Sequence, residues 1–414
     1  MAHLTLDPTQ IAAFEQRSLA LFIRDFGAGG VQRTSLTLAG ALAKRGHRVD
    51  LVVCQAEGPL RQGAPRDVRV IELQPDRRWR ARILTLAADP AGVAQLVRPI
   101  LLRWKTPRDL PYLPDLAAYL RREQPDALLA ATPYLNLMAV WARRLAHARA
   151  RVLVSERNNL SFRIENKPQQ RSLPPLLRRT YAMADVIVAV SDAVGDDLAS
   201  TTGLPRDSIA TIYNPVVPSD VSQRAREPID HPWFVPGAAP VVLAAGRLTP
   251  TKDVPTLLRA FARARTVLNA RLMILGEGKN AEESAERRLE LIALATELGV
   301  AEDVSMPGFV DNPFAYMARA SVFVLSSLWE GFGNVLVEAL ACGCPVVSTD
   351  SPDGPGEILD RGRYGRLVPV GDHGAMAEAI LATLRAPPDP DVLRSRAAMF
   401  SVDRAVESYI AALF

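Results

Sequence analysis

The sequence predicts an α/β protein built from two doubly wound parallel-sheet domains, and three observations carry that prediction. Short β-branched runs alternate with longer helical patterns along most of the 414 residues, the signature of stacked β-α units. Several of those runs are apolar throughout rather than alternating, as strands covered on both faces require. Midway, residues 214–239 hold Pro215, Pro218, Pro228, Pro232 and Pro236 and show neither period, which reads as an interdomain linker. The predicted organisation is a first domain over 1–213, the linker over 214–239, a second domain over 240–399 and a carboxyl-terminal helix over 400–414.

In chain order, the first domain offers strands at 19–24, 49–53, 68–73, 127–132, 151–155, 186–190 and 209–212. A glycine-rich turn at 27–30 separates the first strand from the first helix. The second domain offers strands at 241–245, 272–275, 304–306, 322–325 and 345–348, with helical patterns at 252–268, 281–298 and 333–341 between them. The last segment places Val402, Ala405, Val406, Tyr409, Ile410 and Leu413 at helical spacing. That amphipathic helix must cover a domain, the first one included among the candidates.

Composition narrows the class. Hydrophobic residues make up 48% and charged residues 23%, enough to bury a core. The net charge of +4 is too small to argue for nucleic acid, but it hides an asymmetry: 29 Lys/Arg against 19 Asp/Glu over 1–200, and 20 against 26 over 201–414. No apolar run approaches the roughly 18–20 residues of a membrane span. The weak apolar patch at 11–14 follows Asp7 and is ended by Glu15, Gln16 and Arg17, unlike a signal peptide. The expectation is a soluble, cytoplasmic chain. Cys54, Cys342 and Cys344 fit a reducing compartment as small buried thiols. His3, His47, His147, His231 and His373 show no metal-ligand spacing.

The strongest local signal is Glu330-Gly331-Phe332-Gly333-Asn334-Val335-Leu336-Val337-Glu338. It follows a strand and opens a helix, so the N–H groups of Gly331 to Val335 stand where a helix N-terminus attracts anions. Its carboxylates, Glu330 in the loop and Glu338 in the helix, suit hydroxyls rather than phosphate. Polyol at one end, ribose at the other and diphosphate between describe a nucleotide sugar. Read alone, the segment also fits a capped amphipathic helix with a solvated Glu. Gly246-Arg247-Leu248-Thr249-Pro250-Thr251-Lys252 follows another strand and places Arg247 and Lys252 at the carboxyl edge of the second sheet. Two fixed cations there can hold a diphosphate and offset its charge as it leaves. In Phe26-Gly27-Ala28-Gly29-Gly30-Val31, the glycines Gly27, Gly29 and Gly30 either let backbone approach a phosphate or sugar or simply make a tight turn. Gly-x-Gly-x-x-Gly is not completed and no acidic residue ends the next strand, which argues against a nicotinamide oxidoreductase.

Together with Pro307-Gly308-Phe309-Val310, Cys344-Pro345-Val346-Val347 and Gly354-Pro355-Gly356-Glu357-Ile358-Leu359, these motifs resemble family 4 of the glycosyltransferases in the family's order. The resemblance implies the GT-B fold, two Rossmann-like doubly wound domains facing a central cleft. Ser155-Glu156-Arg157-Asn158-Asn159 and Ser351-Pro352-Asp353-Gly354-Pro355 resemble the bacterial branch that builds lipopolysaccharide, capsules and lipid-linked oligosaccharides. The implied reaction is retaining transfer of a hexose or N-acetylhexosamine from a UDP-sugar to a lipid-linked or lipopolysaccharide acceptor, with no metal or cofactor required. Arg247, Lys252 and Glu330 would be the catalytic set. The first two bind diphosphate, and Glu330 with the backbone of Gly331, Phe332, Gly333, Asn334 and Val335 holds sugar and phosphate. Glu338 takes the ribose, the turn at Gly308, Phe309 and Val310 takes the base, the loop of Gly27, Gly29 and Gly30 lies near the β-phosphate and the acceptor, and Gly246 also lies at the donor. Two departures stand out: Asp253 where many members have Gly, and Thr132-Pro133-Tyr134-Leu135-Asn136 where many have a His, which moves the donor-sugar contact to Asn136.

The positive excess of the first half concentrates in Arg77-Arg78-Trp79-Arg80-Ala81-Arg82 and Arg98-Pro99-Ile100-Leu101-Leu102-Arg103-Trp104-Lys105. Basic residues interleaved with Trp and Leu suit a surface helix on anionic headgroups. They also suit a solvated basic face with core-facing Trp. Two rivals remain: a family member with a soluble acceptor, and a catalytically silent nucleotide-sugar-binding scaffold.

Overall fold

The computed structural model describes residues 16–27, 29–102, 107–278, 280–352 and 354–414. The first sheet has seven strands: β1 (Ser18–Ile23), β2 (Arg48–Val53), β3 (Arg69–Glu72), β4 (Ala127–Ala131), β5 (Arg151–Glu156), β6 (Val186–Ala189) and β7 (Ile209–Thr211). Their order is β3-β2-β1-β4-β5-β6-β7. β4, Ala-Leu-Leu-Ala-Ala, is buried along its whole length, which is why its sequence shows no alternation. The second sheet has six strands: β8 (Val241–Ala245), β9 (Arg271–Leu275), β10 (Val304–Gly308), β11 (Val322–Leu325), β12 (Val346–Thr349) and β13 (Arg366–Val368). Their order is β10-β9-β8-β11-β12-β13, and the pairings along it are parallel.

Every strand candidate is a strand. β13 was not foreseen, because three residues beginning with an exposed Arg366 show no pattern. The helix expected at 252–268 spans Val254–Arg265, since Pro250–Lys252 forms a 3-10 turn and Asp253 sits at φ +44. Asn280 caps Ala281–Glu297 by accepting from the N–H of Glu283 at 2.8 Å, as a helix start requires. Against the second sheet, Leu257, Leu258 and Phe261 pack with Met376 and Ile380 in one buried cluster. Each such side chain contributes about 1.5–3 kcal/mol by leaving water.

Both sheets reverse their strand order once, the first between β1 and β4 and the second between β8 and β11. Open α/β sheets present a crevice at the carboxyl ends of the strands flanking such a reversal.

The chain divides into two compact units. One contains residues up to Ser155, Pro175–Val186 and Leu413; the other contains Glu156–Pro174, Ile187–Ala412 and Phe414. The segment 214–239, an interdomain linker by its prolines and its lack of either period, carries a helix at Val221–Arg226 and a 3-10 turn at Pro232–Phe234. Its start is tied to the chain's end: the N–H of Val217 donates to the carbonyl of Phe400 at 3.1 Å, and that of Val402 donates to the carbonyl of Val217 at 3.1 Å. Ser401 then caps the helix Val402–Leu413. Among the described residues no helix is long and apolar enough to cross a membrane.

Candidate active site

At the carboxyl edge of the second sheet, neighbouring strands β8, β9 and β10 each end at a glycine. Gly246, Gly276 and Gly308 have φ of +151, +125 and +90, a region that favours glycine. The N–H of Gly246 donates to Leu275 at 2.9 Å and that of Gly276 to Gly308 at 2.8 Å. A Cβ on Gly276 would stand 1.9 Å from the carbonyl oxygen of Gly246, so the loops lie backbone on backbone. Beyond them, the N–H of Leu248 donates to the carbonyl of Glu277 at 2.8 Å. The Glu277 carboxylate accepts from the N–H of Phe309 at 3.4 Å.

The reversal between β8 and β11 gathers the three residues expected to carry chemistry. Arg247 follows Gly246 with its side chain exposed. Lys252 ends the 3-10 turn, and its Nζ bonds the Glu330 carboxylate. The Ser327 hydroxyl donates to the same oxygen of Glu330 at 2.6 Å. The two loops are further clamped: Ser326 Oγ donates to the Lys252 carbonyl at 2.8 Å, and the N–H of Leu328 donates to Thr251 at 2.9 Å. Lys252 and Glu330 are 24% and 13% exposed, so water screens this pair less than a surface one. Gly246, Arg247, Lys252 and Ser326 line a small cleft at the end of β8.

From Glu330 the chain runs into the helix Asn334–Ala341 through Gly331, Phe332 and Gly333. Phe332 is buried, its ring 5.8 Å from that of Tyr213 and 5.6 Å from that of Phe400. Its side chain therefore serves the core and leaves only its backbone to a ligand. Gly333, at φ +99, turns the chain into the helix, on which Val335 and Glu338 are half-buried. A Cβ on Gly331 would meet the carbonyl of Arg157 at 2.4 Å and Asn158 Oδ1 at 2.3 Å, and one on Gly354 would meet the carbonyl of Phe332 at 1.8 Å. Val310 follows Phe309, which is 55% exposed.

At the carboxyl edge of the first sheet, Gly27 and Gly29 follow β1, and Gly30 opens the helix Gly30–Lys44. The Asp25 carboxylate stakes this loop by accepting from the N–H of Gly27 and from Gln32 Nε2, both at 3.0 Å. The assignment of Asn136 to the donor sugar is corrected by the structure. Asn136 is fully buried within the helix Pro133–Ala146, and its Nδ2 donates to the Ser155 carbonyl at 3.0 Å and the Tyr181 hydroxyl at 2.8 Å. It ties helix to strand rather than facing a ligand.

Gly276, Glu277 and Ser327 were not singled out from sequence. The same strand-then-glycine signal that marked Gly246 is present in Gly276-Glu277-Gly278 after β9 and would have found the first two. Ala28, Arg103, Trp104, Lys105 and Asp353 lie outside the described residues, as do His3 and the patch at 11–14. The three cysteines are free and buried, and burial pushes the Cys342 thiol up to about 12. Among the described residues no group of three His, Cys, Asp or Glu could hold a metal ion.

A family model described as Glycosyltransferase Family 4 matches residues 28–220, and one described as Glycosyl transferases group 1 matches 239–386. The lipopolysaccharide core biosynthesis glycosyltransferase LpsE of Rhizobium meliloti is 30% identical over 353 residues, 85% of this chain and 84% of that one. The chain belongs to family 4 of the glycosyltransferases. A second relative of this family 4 chain is the Campylobacter jejuni N-acetylgalactosamine-N,N'-diacetylbacillosaminyl-diphospho-undecaprenol 4-alpha-N-acetylgalactosaminyltransferase. It is 34% identical over 209 residues, 50% of this chain and 53% of that one, so the match spans about half the relative's length. The fold is shared with Anabaena HepE, solved with UDP and glucose, at a TM-score of 0.71 and 20% identity over 96% of this chain and 99% of that one. The two Rossmann-like sheets are those of the GT-B class.

Proposed function

We propose that the protein is a retaining glycosyltransferase that moves a hexose or N-acetylhexosamine from a UDP-sugar to a lipid-linked or lipopolysaccharide acceptor. The observation that carries this reading is the meeting of Arg247, Lys252 and Glu330 at the reversal of the second sheet, where such sheets take ligands. As the bond from the sugar C1 to the phosphate oxygen breaks, charge accumulates on the diphosphate. Arg247, Lys252 and the N–H groups from Gly331 to Val335 offset it, while Glu330 and Glu338 accept from sugar and ribose hydroxyls. The turn at Gly308, Phe309 and Val310 receives the base. These cations and N–H groups do the work a metal would otherwise do, so a chelator should leave turnover unchanged. The Campylobacter relative acts on an undecaprenyl-diphosphate-linked sugar by its name, which supports a lipid-linked acceptor.

The basic segment supports access to such an acceptor at a membrane surface. On the helix Arg78–Ala88, Trp79 and Ile83 are 56% and 54% exposed among arginines, instead of facing the core. The test is a thermal-shift panel of UDP-, GDP- and ADP-sugars, followed by UDP release with a lipid extract. Stabilisation by a UDP-sugar and lipid-dependent release of UDP are expected. Binding without release would favour a silent scaffold, and stabilisation only by a GDP- or ADP-sugar would overturn the donor assignment.

A further inference from the structure

Arg157 has a side chain that the steps above do not use, and it is only 8% exposed. Its Nη1 donates to Asn214 Oδ1 at 2.7 Å and its Nη2 to the Tyr409 hydroxyl at 3.1 Å. Asn214 Nδ2 donates in turn to Asn334 Oδ1 at 2.9 Å. Asn334 is the first residue of the helix that follows the Glu330 loop, and it is half-buried.

The direction of these bonds is imposed by chemistry. A guanidinium has donors and no acceptor, whereas a carboxamide has one end of each kind. Arg157 therefore compels Asn214 to turn its oxygen inward, which leaves only its NH2 for Asn334. Asn334 must accept with its oxygen, and its own NH2 becomes the end left for a ligand. An amide nitrogen offered at this point suits an anionic oxygen, and an amide oxygen offered there would repel one.

We propose that Arg157, acting through Asn214, is a positioning residue that fixes the Asn334 side chain with its NH2 group toward a diphosphate oxygen of the nucleotide-sugar donor. The inference rests on the donor reading above. It assigns roles to Arg157 and Asn214, which touch no reacting atom, and to the side chain of Asn334 rather than its backbone.

Three variants test it, read by calorimetric titration with UDP and by donor KM and kcat in the UDP-release assay. Asn214→Asp keeps an acceptor for Arg157 but cannot donate, so Asn334 must turn its NH2 inward and its oxygen toward the phosphate. UDP affinity should fall about tenfold or more, the scale of one lost hydrogen bond to a charged group, although the variant melts no lower than wild type. Arg157→Lys keeps a donor-only group and should stay within about threefold of wild type, with the loss in donor KM rather than kcat. Asn334→Ala added to Asn214→Asp removes the misdirected oxygen and should recover part of the affinity. Undiminished UDP binding by Asn214→Asp, or a further additive loss in the double variant, overturns the proposal alone. A wild-type chain that does not bind UDP overturns the donor reading and the proposal with it.

Discussion

At the scale of single residues, the proposed function makes the contact between Lys252 and Glu330 the first one to test. Lys252 already pairs with Glu330, whereas the Arg247 side chain stands exposed. Glu330→Gln should therefore bind free UDP more tightly, by about fivefold if the half-sheltered pair is worth about 1 kcal/mol. Its turnover should nevertheless fall about a hundredfold, because the sugar loses a preorganised acceptor. Titration with UDP and a UDP-release assay on one preparation check both halves, and weaker UDP binding would refute the first. Arg247→Ala should lose about a hundredfold in turnover with an unchanged melting temperature, since its side chain is exposed. Asp253 explains the departure from the family's Gly: it holds φ +44 while its side chain accepts from the N–H of Thr256. Asp is among the few residues that tolerate this region and cap a helix as well. His47 is buried, and burial with Arg45 and Arg17 lowers its pKa below 6.5. The unfolded chain then takes up the proton first, so stability is full above pH 6.5 and drains as pH falls through the lower folded value. Melting curves between pH 7.5 and about 5 should show this slope in wild type and a shallower one in His47→Gln.

At the scale of elements, the strand-end glycines decide how closely the loops of the second sheet can approach. Gly276→Ala places a methyl group against the Gly246 carbonyl and demands φ +125 of an alanine. It should cost about 3 kcal/mol, visible in the urea midpoint of the purified variant. Much of this level was legible in the residues. Buried parallel strands announce themselves as unbroken apolar runs, which is why β4 and β8 were found at sight and β13, with three residues and an exposed arginine, was not. The Glu330 and Arg247 segments were legible because each joins a strand end to a helix start. Asn136 was misplaced because a polar residue one turn into a helix looks the same whether it faces a ligand or a neighbouring strand. The Arg157–Asn214–Asn334 chain was invisible for a related reason: its members are 57 and 120 positions apart, and nothing local marks a hydrogen bond at that range.

At the scale of the whole molecule, the charge asymmetry of the halves has a physical address in the helix Arg78–Ala88. Replacing Arg78, Arg80 and Arg82 by Glu should abolish flotation with anionic liposomes, and raised salt should weaken wild-type binding in parallel. Unchanged flotation would leave the basic excess an ordinary solvated face. Arg80 already pairs with Asp76 at 2.9 Å, so the exposed Arg78 should account for more of the effect than Arg80. The pairing of Val217 with Phe400 and Val402 reaches further. It holds the start and the end of 218–400, the stretch that carries the second sheet, side by side, within a compact unit that also takes in Glu156–Pro174 and the chain from Ile187. Exchanging that stretch with one from a relative that uses a different nucleotide cuts the chain at two junctions lying side by side, provided the incoming stretch keeps Asn334 and Glu357, which bond Asn214 and the N–H of Asp192 across the cut. A chimera of this kind should take the nucleotide of the exchanged stretch and the acceptor of the remaining chain.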